Sequence, residues 1–180
     1  SELNFGLDAF DATVNDNAPD GLFFSWLGQA QWTKALNQDR DLLLVTRLAT
    51  QLSPDSLLPL EQFTLGGVGT VRGYRQNREV GDNAVVGTVE IYIPIAGDYP
   101  KGLDPRTGKA NRINSSKLNL VPFFDGGTVW DNNSDKTEAL ASLGLGLDWQ
   151  FKEFLFLRVD WGVPLINTSD RGNSLQEIGR

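Results

Sequence analysis

The side chains in this sequence with chemistry to offer are carboxylates and guanidinium groups, and little else. The chain contains no Cys and no His. That removes disulfides, thiolate nucleophiles, thiolate metal sites and the commonest catalytic base and metal ligand, so Ser-His-Asp and Cys-His catalysis are excluded. The residue that stands out is Arg72, set in Leu65-Gly66-Gly67-Val68-Gly69-Thr70-Val71-Arg72-Gly73-Tyr74. A guanidinium cannot shed its charge, so it needs a carboxylate wherever this glycine-dense stretch lands. Glu90 and Asp125 are candidate partners, and Asp148, Arg158 and Asp160 form a second charged set.

Three other patterns lead to weaker chemistry. Gly66-Gly67-Val68-Gly69 resembles a phosphate loop, but no Lys-Ser/Thr pair follows and no helix is expected there. Asp131-Asn132-Asn133-Ser134-Asp135 resembles a calcium loop without its Gly and bidentate Glu. Asp8 and Asp11 are a carboxylate pair that nothing places across a cleft, so a solvated loop is the better reading. No catalytic residue, cofactor, metal or small-molecule substrate is therefore expected. A formal net charge of −7 and a pI near 4.6 argue against a nucleic-acid partner, which would meet a basic face.

The elements that must position these groups read as strands. Period-two alternation marks 3–10, 22–36, 42–52, 85–95, 117–130, 139–149 and 155–165, with the clearest case setting Ala141, Leu143, Leu145, Leu147 and Trp149 against Ser142, Gly144, Gly146 and Asp148. Glu90 shares a polar face with Thr88 and Tyr92, and Asp125 shares one with Asn119 and Phe123. Seven strands and no helix make the fold class all-β. If the turn at 151–154 gives an odd offset, Asp148 lies opposite Arg158 as a wall ion pair that tunes register.

Strand lengths near 10 suit a tilted strand crossing a bilayer, which needs about 9–11 residues. Connections mostly alternate long and short: 11–21, 37–41, 53–84, 131–138 and 151–153, with 96–116 too long for the scheme. The mean hydropathy of −0.26 fits a membrane barrel as well as a soluble protein, because lipid-facing and lumen-facing residues average out. Trp32, Trp130, Trp149 and Trp161 are candidate interfacial girdle residues. The alternative is a soluble β-sheet domain that binds a ligand through the 53–84 loop.

Four stretches in order carry a resemblance. LGGVGTVRGY at 65–74, VGTVEIYIP at 86–94, PFFDGGTVW at 122–130 and RVDWGVPL at 158–165 resemble motifs of the two-partner-secretion transporters, the TpsB-type hemolysin activation/secretion proteins. These belong with BamA-type assembly proteins in one superfamily of outer-membrane barrels. The resemblance implies an antiparallel transmembrane β-barrel of sixteen strands, of which 1–180 would be the C-terminal part, strands nine to fifteen. The 173–179 segment would then be the last outside loop, and a chain without any Met would be a processed chain or a fragment.

The same resemblance implies that the 53–84 loop folds into the lumen. Its motif residues Val71, Arg72, Gly73 and Tyr74 would form the tip, with Arg72 meeting the inner-wall acids Glu90 and Asp125. The implied function is secretion of an unfolded exoprotein through the barrel without a nucleotide. The partners would be that exoprotein and outer-membrane lipid, in a Gram-negative-type envelope; the acidic character and Asn-rich loops are compatible with such a membrane, a cyanobacterial one included. An assembly factor for other outer-membrane proteins is the alternative within the superfamily.

Overall fold

The computed structural model describes residues 2–5, 23–39, 41–97, 116–151 and 155–167. Strand β1 (Glu2–Phe5) pairs with β2 (Phe24–Ala35), which a short turn joins to β3 (Leu43–Leu52). That turn closes through the Leu36 N–H on the Leu42 carbonyl, and the Asn37 amide bonds the Asp41 carboxylate across it. The next wall strands are β6 (Asn83–Gly97), β7 (Lys117–Trp130), β8 (Thr137–Phe151) and β9 (Leu155–Pro164). All pairs are antiparallel, and the sheet order is β1-β2-β3-β6-β7-β8-β9.

Seven wall strands and no helix among the described residues agree with the all-β expectation. The 53–84 connection differs from a plain loop. It contains a small hairpin-like ladder of β4 (Phe63–Leu65) and β5 (Glu79–Gly81), pairing Phe63 with Gly81 and Leu65 with Glu79. Three residues are too few to show a period in the sequence, which is why the ladder was not anticipated. The segments 6–10 and 11–21, most of 96–116, the 152–154 turn and the 173–179 segment lie outside the described residues.

The two faces of the sheet differ in kind. One carries Leu48 on β3, Val89 on β6, Phe124 on β7, Leu143, Leu145 and Leu147 on β8, and Val159 and Trp161 on β9. These side chains are exposed, Leu143 at 55% and Trp161 at 61%, and among the described residues no second layer covers them. A two-sheet sandwich would bury this face against a second sheet, and among the described residues none lies there. Trp32 and Trp149 are also exposed, whereas Trp130 is half-buried.

The other face is where the loop lies. Leu65, Val71 and Tyr74 from the loop pack with Ala84 and Val86 of β6, Val129 of β7 and Leu140 of β8. This is the apolar core of the described structure, and it forms between one wall and its own connection rather than between two sheets. Pro122, central in β7, has no N–H to give. The β6–β7 register is interrupted there, passing from Glu90↔Phe123 to Ile93↔Leu120. A further shift sits between Pro94 and Ala96.

Candidate functional site

The site begins with a turn that lets the loop double back. Gly66 and Gly67 adopt φ of 106° and 100°, which side-chain-bearing residues rarely tolerate. The turn is closed by the Thr70 hydroxyl, which accepts from the Gly66 N–H at 2.8 Å, and by the Gly67 N–H on the Val71 carbonyl at 3.0 Å. It delivers Val71, fully buried, and Arg72, only 7% exposed, onto the inner wall.

Arg72 is bound on three sides. Its Nε and Nη2 donate to the two oxygens of Asp125, both at 2.7 Å, and its backbone N–H donates to Asp125 Oδ2 at 3.1 Å. Nη1 donates to Glu90 Oε1 at 2.8 Å and lies 3.4 Å from Asp160 Oδ1. The guanidinium carbon sits 3.4 Å above the centre of the Phe123 ring, a stacked cation–π contact. Burial alone would lower the Arg72 pKa. The hydrogen bonds and charge of Asp125, then those of Glu90, outweigh it and hold the group above its ordinary value.

β-register explains why these partners meet. Thr88 pairs with Asp125 and Glu90 with Phe123 across β6 and β7, so both carboxylates and the stacking ring point into one small area. Glu90, 1% exposed, then collects two wall cations as well. Arg47 Nη1 of β3 donates to Oε2 at 2.8 Å, and Arg158 Nη2 of β9 donates to Oε1 at 2.5 Å. Tyr92 donates to Glu90 Oε2 at 3.2 Å and receives Arg158 Nη1 at 2.6 Å. Three arginines and three carboxylates (Glu90, Asp125, Asp160) thus form one formally neutral network.

The second charged set requires correction. Asp148 does lie opposite Arg158 in the β8–β9 register. The expected ion pair between them is absent among the described contacts. Arg158 turns instead to Asp160 at 2.9 Å and to Glu90, while the Asp148 carboxylate takes the Asn119 amide at 3.5 Å. The reason is charge balance: Arg47 and Arg72 leave the three carboxylates Glu90, Asp125 and Asp160 one cation short, and Arg158 supplies it where water is scarcer than at the partly exposed Asp148. Arg158 and Asp160 therefore belong to the Arg72 network and not to a separate one.

Tyr74 completes the tip. Its hydroxyl lies 2.8 Å from the Ala141 carbonyl oxygen and 2.9 Å from that of Ile166, one of which takes its proton. It also accepts from the Ile166 N–H at 3.1 Å. This fastens the loop where the β8–β9 ladder ends at Ser142↔Pro164.

Sequence reasoning missed Arg47, Tyr92 and the stacking role of Phe123, although their parity on the Glu90 and Asp125 face was the available signal. It also missed the root of the loop. There Asp82, 2% exposed, accepts from the Leu57 N–H at 2.9 Å, the Gln62 amide at 3.0 Å and the Asn132 N–H at 3.0 Å. Asn83 accepts from the Ser53 N–H at 2.9 Å and donates to Asn132 Oδ1 at 2.9 Å. Asn132, read as part of a weak calcium-loop pattern, donates to the carbonyls of Ser53 and Asp55 at 3.0 and 2.7 Å.

Among curated proteins none matches the chain. A solved structure with a similar fold is CdiB from Escherichia coli, at 21% identity and a TM-score of 0.65, covering 87% of this chain and 26% of that one. The chain thus spans about a quarter of that structure's length. The family model described as haemolysin secretion/activation protein ShlB/FhaC/HecB matches residues 2–149, most of the chain, so this chain belongs to that family.

Proposed function

We propose that residues 1–180 are the C-terminal part of an outer-membrane β-barrel whose full-length protein secretes an unfolded exoprotein without a nucleotide. What supports this reading first is the family to which the chain belongs, a secretion/activation family, which favours secretion over assembly of other barrels. The observation that carries the mechanism is the Arg72 fork onto Asp125 and Glu90. It holds a long connection against the polar face of the wall, where exported chain would have to pass.

The apolar face fits lipid contact, and the polar face fits a wet lumen. Beside the loop tip lies a cavity of about 650 Å³ bordered by Gln29, Gln31, Arg47, Thr70 and Thr88. Its amides and hydroxyls offer exchangeable hydrogen bonds to a passing backbone, beside the charged network of Arg72, Glu90, Arg158 and Asp160 that also borders it. Folding of the exoprotein outside would supply the force. No step requires a bond to be made or broken by this chain. The location is the outer membrane of a Gram-negative-type envelope.

Arg72→Ala in the full-length protein tests this. It strands Asp125, fully buried, without its cation, at a cost of about 3–5 kcal/mol to the seated loop. Exoprotein in the medium should fall sharply, while membrane insertion, followed by heat-modifiable migration, stays near normal. Secretion undiminished in the variant would sink the reading.

A further inference from the structure

We infer that Gly162 of β9 is a positioning residue for the loop tip, a point where the wall admits the loop backbone itself. This rests on the proposed role of the seated loop. Among the described residues the other fastenings of the tip run through side chains. At Gly162 two backbones touch. A Cβ placed on Gly162 would lie 2.9 Å from the Gly73 nitrogen, 3.0 Å from the Arg72 carbonyl carbon and 3.1 Å from its oxygen. The contact is reciprocal, since a Cβ on Gly73 would lie 2.8 Å from both the carbonyl carbon and the oxygen of Gly162. These are backbone atoms, so no side chain can swing aside to make room. Gly73 also holds φ of 89°, which commits the loop to this path.

The consequence follows from where Arg72 sits. Its backbone is pinned against Gly162 while its N–H and guanidinium share Asp125. A methyl group at 162 lifts the Arg72 peptide off the wall. The fork to Asp125 depends on geometry within a few tenths of an ångström, so it opens as well. The wall strand itself has no need of glycine there: Gly162 pairs with Gly144 in an ordinary antiparallel register. Gly162 therefore serves the loop rather than the sheet.

The test uses the full-length protein in outer membranes, carrying Val71→Cys as a reporter, because Val71 is fully buried when the tip is seated. Labelling by a membrane-impermeant maleimide and exoprotein secretion are both measured. Gly162→Ala should raise labelling at position 71 roughly ten- to a hundredfold, the range that overpacking a tight contact produces, and should lower secretion. Gly87→Ala serves as control, since a Cβ there meets nothing nearer than the Arg47 oxygen at 3.8 Å, and it should change neither.

Adding Gly162→Ala to Arg72→Ala should expose position 71 no further than Arg72→Ala alone, because each change unseats the same docked tip. Additive exposure would overturn the inference, as would a shielded thiol in Gly162→Ala. If Gly162→Ala fails to reach the membrane, Gly73→Ala presses the same contact from the loop side, and a shielded thiol there would overturn the inference. An exposed thiol in Arg72→Ala with normal secretion would instead defeat the functional reading, leaving the seating role of Gly162 to be judged by its own labelling.

Discussion

The tip and the root of the 53–84 connection each bury a carboxylate, and they satisfy it in opposite ways. At the tip, Asp125 receives its hydrogen bonds from Arg72, a cation with a backbone N–H added. At the root, Asp82 receives neutral donors from Leu57, Gln62 and Asn132. The root lies within one residue of β5 and β6 and ties them to the connections after β3 and β7, so its partners are held by wall strands. The tip must bring Arg72 to an acid 53 positions away, across the lumen face. The root is thus an attachment and the tip a docking. A docked cation can leave as a unit, whereas three neutral donors spread over two connections cannot.

The comparison breaks most severely at Asp125. Asp125→Ala leaves Arg72 buried with Glu90 as its main acid, and should cost the seated loop about 3–5 kcal/mol. The readout is exoprotein in the medium together with protease nicking near position 72. Normal secretion with an un-nicked loop would show that Glu90 alone seats the tip. Asp82→Ala comes next. It leaves the N–H groups of Leu57 and Asn132 unpaired, at about 1–3 kcal/mol. Limited proteolysis should open 53–62 while position 72 stays protected. Cleavage at both places together would mean that tip and root are one unit.

The smallest effect is expected at Arg47, whose side chain is 44% exposed. Arg47→Ala leaves Glu90 with Arg72 and Arg158, and so should cost only about 0–1 kcal/mol, with secretion close to that of the unaltered protein. An effect as large as that of Asp125→Ala would shift the weight of the docking from Asp125 to Glu90.

Much of the wall was legible because a β-strand states its faces in its own period. Residues 117–130 are legible with the bounds the structure has, and alternation alone puts Glu90 and Asp125 on the polar face of their strands. Where local signals were short or broken, reading stopped. Three-residue β4 and β5 show no period, and the Asp148–Arg158 pair was inferred from register alone, as though opposite residues must bond. Register sets which Cα atoms face each other. It does not set which of several nearby charges a long side chain chooses.

Composition and period by themselves determined an all-β chain without His or Cys, an apolar face, a polar face, and one arginine in need of an acid. Tertiary structure alone decided that three arginines share Glu90, that Asp125 is left to Arg72, that Phe123 lies beneath it, and that Gly162 lies against its backbone. The physical reason is range. Face and strand are set by neighbours two residues apart, whereas a buried charge is set by whatever lies within a few ångströms in space, and here those groups come from four strands and a loop.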